Sequence, residues 1–288
     1  MAAFGEQVHI CRDLRFFQSR IVKQAVFHVS GNEKSSTESS YTSDALCNRF
    51  MREILRFVEQ PRQCSYLPEE IASLEVRCIT DMSSAEYADL LARGYRRFGS
   101  QVFRPACGNC QKCQSIRVLV EQFTPNAGER RILRKNKNIR AELNPLFATT
   151  DHAELYNLYH RFMNEYWGWP LQQTTLESYR LEFLSGARNS GRQWLYFDED
   201  KLVGVALMDE VPGAISLVYF FYDPGWRASS PGTFSILNQI LYAKASNLQY
   251  AYLGYWIESC HSMSYKGRFR PRQILIRYPG NDEPPAWE

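Results

Sequence analysis

No stretch of 18 or more apolar residues occurs in this 288-residue chain, so no membrane-spanning helix is expected. Its first residues, MAAFGEQVHICRDLRFF, lack the basic start, apolar stretch and small-residue cleavage site of a secretory signal. A cytoplasmic, reducing location is therefore expected. There the eight cysteines suit metal or redox chemistry better than disulfides. Internal repeats are absent. So is a large charge of either sign: 34 Lys and Arg against 31 Asp and Glu leave +3, and only the distribution of charge can point to nucleic acid.

The 44% hydrophobic content is that of a soluble globular protein with one large domain or two. Aromatics are plentiful, with 17 Tyr, 17 Phe and 6 Trp, which suits stacking surfaces as well as cores. Residues 31–44, GNEKSSTESSYTSD, have almost no apolar content and read as a disordered linker. Met51 opens a stretch that resembles a natural protein start. Residues 1–50 are therefore expected to be an extension, either a flexible arm or the product of an upstream start codon.

From Met51 a small α+β domain is expected over 51–140. Ser83–Arg93 reads as a helix, with Ser83 and Glu86 as a capping box and Gly94 as its end. Residues 95–105 suggest two short strands around Gly99, 116–123 a strand and 128–138 a basic helix. The second half, 141–288, continues with a helix over 151–167 whose apolar face carries Leu155, Leu158, Tyr159 and Phe162. A hairpin (192–211), a strand buried on both faces (214–223), a helix (231–247) and another buried strand (250–256) follow. The fold class is α/β (α+β), and the order of its second half resembles the GNAT acyltransferase fold.

Three features carry chemistry. Cys107, Cys110 and Cys113 stand in CGNCQKC, a spacing that lets thiolates converge on zinc or an iron–sulfur cluster. Cys64 is the candidate fourth ligand, and a reduced loop without metal is the alternative. Arg130, Arg131, Arg134, Lys135, Lys137 and Arg140 form a basic segment able to follow a phosphate backbone, or simply a solvated helix face. Arg93, Arg96, Arg97 and Arg104 add to the basic character of the small domain. Finally, YLGYWIESCHSMSYKGRFRP (252–271) packs tyrosines and a tryptophan against Lys266, Arg268 and Arg270, as a site for an anionic ligand requires.

QCSYLP (63–68), GYRRFGSQVFRPACGNCQKCQSIRV (94–118), ERRILRKNKN (129–138), YFFYDP (219–224), SPGTFSI (230–236) and LGYWIESCHSMSYKGRFRP (253–271) stand in this order. Together they resemble the bacterial aminoacyl-tRNA–protein transferases, of the aspartate/glutamate leucyltransferase type, related to eukaryotic arginyl-tRNA–protein transferase. The resemblance covers about 51–280. It implies transfer of Leu, or alternatively Arg, from charged tRNA to the α-amine of proteins beginning with Asp or Glu, marking them for degradation by the N-degron pathway. No cofactor is then needed for the chemistry, although an Fe–S cluster or Zn at the cysteines stays open. Two departures stand out. Leu67 occupies the place of a second cysteine in the eukaryotic C-x-x-C. The loop Arg227–Gly232 lacks the full R-x-x-G-x-G/A that holds CoA, which favours a tRNA donor.

Aminolysis of an ester needs an oriented ester, a neutral amine and donors for the oxyanion. Lys266 and Arg268 are expected to hold the acceptor carboxylate, with Arg96 and Arg97 as alternatives and a tRNA phosphate as the other occupant. Tyr219, Tyr255 and Tyr265 are candidates for positioning the ester or stabilising the oxyanion. Asp223 is a candidate for holding the ammonium and taking its proton, or else a turn residue before Pro224. His261 is a weaker base candidate. A CoA-dependent N-acyltransferase and a non-catalytic RNA-binding or iron-sensing protein are the competing functions.

Overall fold

The computed structural model describes residues 51–186 and 190–288; the proposed extension, 1–50, lies outside them. Among the described residues the strands form three sheets. One has four strands in the order β1 (Arg52–Val58), β4 (Leu74–Thr80), β6 (Gln101–Pro105), β5 (Arg96–Phe98). A ribbon pairs β2 (Arg62–Gln63) with β3 (Ile71–Ala72). The largest has seven strands. They run β13 (Arg272–Ile274), β7 (Gln114–Leu119), β12 (Tyr250–Trp256), β11 (Ala214–Tyr222), β10 (Lys201–Val211), β9 (Gly191–Asp198), β8 (Ile139–Pro145). β7 comes from the 51–140 segment yet pairs with β12 and β13, so the large sheet draws on both segments. No described helix is long and apolar enough to cross a membrane.

The mixed α/β class is as expected, and local signals account for its helices. Helix α1 (Ser84–Ala92) starts at the Ser83–Glu86 capping box and ends before Gly94, whose φ of 85° suits glycine. The basic helix α2 (Ala127–Lys135) has a second such box, Asn126 with Glu129. Helix α3 (Thr150–Trp167) packs on β10 and β11. Its buried stripe is His152, Tyr156, Tyr159 and Met163, spaced four, three and four residues apart. Leu158, expected on the apolar face, lies off that stripe and is exposed. A short helix α4 (Leu176–Tyr179) widens into a π turn, and α5 (Pro231–Ala245) provides the crossover between β11 and β12.

Two buried ion pairs tie the framework. Arg97 on β5 grips Asp209 on β10 in a fork, with Nε–Oδ2 at 2.9 Å and Nη2–Oδ1 at 2.7 Å. Tyr87 of α1 donates to the same carboxylate at 3.1 Å. This joins the four-stranded sheet to the seven-stranded one. Within the small sheet, Glu75 accepts from Arg104 Nε at 2.7 Å and Arg56 Nε at 2.6 Å.

Burial alone would raise the Glu75 carboxyl pKa, but the two arginines outweigh it and hold it below the ordinary value. Its stabilisation is therefore present above the unfolded pKa of about 4.3. It disappears as pH falls through the lower folded value. Glu75→Gln is expected to flatten the acid limb of a Tm-versus-pH curve. An acid limb as steep as wild type would mean that the pairing contributes nothing.

Candidate functional site

β11 and β12 are parallel neighbours joined at only three residue pairs: Ala214–Tyr250, Ile215–Ala251 and Ser216–Tyr252. Both strands bulge just beyond. Against β10, Leu207 faces Tyr219 and Met208 faces Leu217, so Val218 is the extra residue. Against β7, Tyr252 faces Arg117 and Gly254 faces Ile116, so Leu253 is extra. A bulge bends its strand and re-aims the side chains after it. Two bulges past the last shared pair open the strands into a wedge. They also break the alternation. Leu217 packs in the core that contains Leu237 and Ile240 of α5, whereas Tyr219 packs with Tyr156 and Phe183 on the α3 side.

Arg96 of β5 lies at the vertex of this wedge. Its Nη2 donates to the Leu217 carbonyl, at the bulge. Its guanidinium occupies the space that a Cβ on Gly254 would take. Gly254 has a φ of 92°, so glycine is required twice over, for conformation and for close approach. The Arg96 Cζ stands 6.0 Å from the centre of the Tyr255 ring. Arg97 points elsewhere. Besides its fork on Asp209, its Nη1 donates to the carbonyls of Gly99 and Ser185.

The tyrosines divide. Tyr219 meets His160 of α3, with OH to Nε2 at 2.9 Å, and His160 stacks on Tyr156 at 4.1 Å. His160 was not among the sequence candidates. A histidine in register with the buried face of an amphipathic helix was the signal available. Tyr255 turns its hydroxyl toward the small sheet, 2.9 Å from Phe103 O and 3.2 Å from Gly94 O. Burial, and then the neighbouring Tyr278, push its phenol well above the ordinary range. Tyr265 is buried in the core beside α5.

Lys266 is buried, and its Nζ donates to Tyr255 O at 2.8 Å. Arg268 and His261 are exposed. Asp223 accepts from Gly225 N–H at 2.8 Å and pairs with Lys201 at 2.6 Å. Burial would raise its pKa, but these contacts hold it below the ordinary value. It thus fills the turn role, capping the 3₁₀ segment Pro224–Ser229.

Arg130, Arg131, Arg134, Lys135 and Lys137 are all exposed on or just after α2. The helix is moored to the 3₁₀ segment. Lys135 Nζ donates to Ala228 O at 2.5 Å, Asn136 Nδ2 to Ser229 O at 2.8 Å, and Trp226 Nε1 to Asn136 Oδ1 at 2.7 Å. The basic surface therefore leads toward the start of α5.

Residues 62–131 match the model for the N terminus of arginine-tRNA-protein transferase, and 151–276 the model for its C terminus. The chain is 39% identical over 235 residues to an aspartate/glutamate leucyltransferase from Helicobacter hepaticus, covering 82% of this chain and 98% of that one. The chain belongs to the arginine-tRNA–protein transferase family. A Campylobacter jejuni protein of the same leucyltransferase name is 39% identical over 213 residues, 74% of this chain and 89% of that one. The crystal structure of FemX is similar with a TM-score of 0.42, at 7% identity, covering 69% of this chain and 68% of that one.

As a member of this family the chain is an aminoacyl-tRNA–protein transferase, acting on a charged tRNA and a protein. In this transferase Cys64, Cys107, Cys110 and Cys260 all lie near enough to Cys113 to act on its thiol. Burial, and then the charges these neighbours would carry, push the Cys113 thiol well above its ordinary range. Yet among the described residues no three or more His, Cys, Asp or Glu side chains are arranged to hold a metal ion. Cys107 Sγ turns to Ser73 O at 3.6 Å, Cys110 is engaged by Glu70, and Cys260 Sγ meets Ser262 Oγ at 3.2 Å.

Proposed function

We propose that this transferase conjugates leucine from its charged tRNA to the α-amine of proteins beginning with Asp or Glu, in the reducing cytoplasm. The observation that carries the reading is the guanidinium of Arg96 at the vertex of the β11–β12 wedge. A side-chain carboxylate requires a cation in fixed geometry, and a buried arginine meets that need best. The names of the leucyltransferase relatives support both the donor and the acceptor.

In this scheme the aminoacyl ester enters the wedge, where strand backbone freed by the bulges can donate to the oxyanion. The acceptor carboxylate pairs with Arg96, which aims its α-amine at the ester carbonyl. Tyr219 and His160 form a relay that takes the proton from the attacking amine. The amine nitrogen bonds to the carbonyl carbon, and the ester bond to the tRNA ribose breaks. The proton moves to the departing ribose oxygen, so no charge is left over. Lys266 fixes the end of β12, and Arg268 contacts the tRNA terminus.

Transfer of labelled amino acids from total charged tRNA onto peptides starting with Asp, Glu and Arg tests the scheme. Leucine on Asp and Glu peptides alone is the expected product. Arginine on the same peptides would move the donor. No transfer without acyl-CoA would replace the reading with the N-acyltransferase.

Basic helix α2 holds the tRNA backbone in this scheme. The triple variant Arg130→Ala, Arg131→Ala, Arg134→Ala is expected to weaken tRNA binding. It should also reduce the slope of log K against log salt by about 3. An unchanged slope would leave α2 a solvated face.

A further inference from the structure

Helix α3 runs on past the wedge and ends in exposed aromatics. Phe162 and Tyr166, one turn apart, have ring centroids 4.5 Å from each other at 35°. Tyr166 is 66% exposed and the next residue, Trp167, 50%. A soluble helix does not ordinarily present two large aromatics in succession to water, since each forgoes the gain of burial. The Arg227 guanidinium lies 5.7 Å from the Phe162 ring centre, on its face. Arg227 belongs to the 3₁₀ segment to which Lys135 and Asn136 moor the basic helix α2. Cations and stacking rings thus run as one strip, from α2 through Arg227 to the end of α3.

This strip has a direction relative to the chemistry. His160 on α3 touches Tyr219 in the wedge. At 1.5 Å per residue, Tyr166 stands about 9 Å farther along the helix. A nucleic acid whose terminal ester sits in the wedge, and whose duplex lies on α2, must carry its last nucleotides between the two. Those nucleotides are unpaired in a tRNA. Unpaired bases bind proteins by stacking on aromatic rings beside a cationic groove, without regard to sequence.

We propose that Tyr166, with Phe162 and Arg227, forms a stacking platform for the unpaired 3′ nucleotides of the donor tRNA. This rests on the tRNA-donor reading above and adds to it the surface that holds the single-stranded end. The charge of the strip selects this occupant over an apolar peptide. A peptide partner would match the rings, but not Arg227 on the face of Phe162 or the basic helix α2 moored to the segment that carries Arg227.

The test uses the full-length protein, uncharged leucine tRNA, and the same RNA trimmed of its unpaired 3′ nucleotides. Tyr166→Ala is expected to weaken binding of the intact RNA by about 5- to 150-fold. It should leave binding of the trimmed RNA at the wild-type level. Tyr166→Phe, which keeps the ring, should bind both as wild type does. Equal losses for both RNAs, or no loss for either, would overturn the platform. So would intact RNA binding with impaired transfer, which would assign the rings to the acceptor protein. The donor reading fails separately. A wild-type enzyme that transfers nothing from charged tRNA, yet shows the Tyr166-dependent preference for intact RNA, keeps the platform and loses the reaction.

Discussion

Replacing Arg96 by methionine should lower kcat/KM for an Asp-initiated peptide by roughly 30- to 5,000-fold, the equivalent of about 2–5 kcal/mol for truncating one partner of a buried charge pair. An Asn-initiated peptide, which lacks the carboxylate, should gain relative to Asp, so selectivity falls along with rate. Part of the loss will be structural. The variant leaves the Leu217 carbonyl without its donor, at a cost of about 1–3 kcal/mol. A melting curve measures that part independently.

Gly254→Ala gives a second view of the same group. Its Cβ displaces the guanidinium without removing it and strains a backbone at φ 92°. The two changes act on one contact, so they should not add. In the Arg96→Met background, Gly254→Ala should cost only its backbone strain. Wild-type selectivity for Asp over Asn in Arg96→Met would remove Arg96 from acceptor recognition and return Arg268 to that place.

The largest effect on stability is expected at Asp209. Its side chain is fully buried, as is nearly all of Arg97 opposite. Asp209→Ala leaves the Arg97 charge uncompensated and takes the acceptor from Tyr87, which should cost about 3–5 kcal/mol. The double variant Asp209→Leu with Arg97→Met buries no charge and should be more stable than either single variant. Urea denaturation of the wild type, Asp209→Ala, Asp209→Leu, Arg97→Met and the double variant decides. A single variant within about 1 kcal/mol of wild type would mean that the pair does not hold the sheets together.

In the sequence, Arg96 and Arg97 are adjacent and identical in type. Successive residues of a strand face opposite ways, so one entered the wedge and the other met Asp209. Nothing local to GYRRFG says which. The capping box at Ser83, the hairpin at 198–201 and the doubly buried strand 214–222 were legible because each depends on neighbours in sequence. The wedge was not. It arises from an unmatched residue in each of two strands, and an unmatched residue is defined by its partners, β10 and β7.

The same limit explains Tyr255 and Lys266. The 252–271 segment has the composition of an anion site, but the fold turns the Tyr255 hydroxyl toward the backbone of the small sheet and Lys266 toward a carbonyl. The Tyr255 hydroxyl thus ties the segment to the small sheet, and Lys266 secures the segment to itself. His160 was missed for the converse reason. It lies on a helix face that reads as core, and its contact with Tyr219, 59 residues away in sequence, is not visible there.

The wedge also has a mechanical side. Between β11 and β12 the seven-stranded sheet is joined by three residue pairs, whereas β10 meets both its neighbours along eight. The sheet is therefore two stiff plates, β13-β7-β12 and β11-β10-β9-β8, sharing a short stem. A load that spreads the site bends the stem before it disturbs either plate. The compliance needed to admit two bulky substrates is concentrated in Ala214–Ser216 and Tyr250–Tyr252.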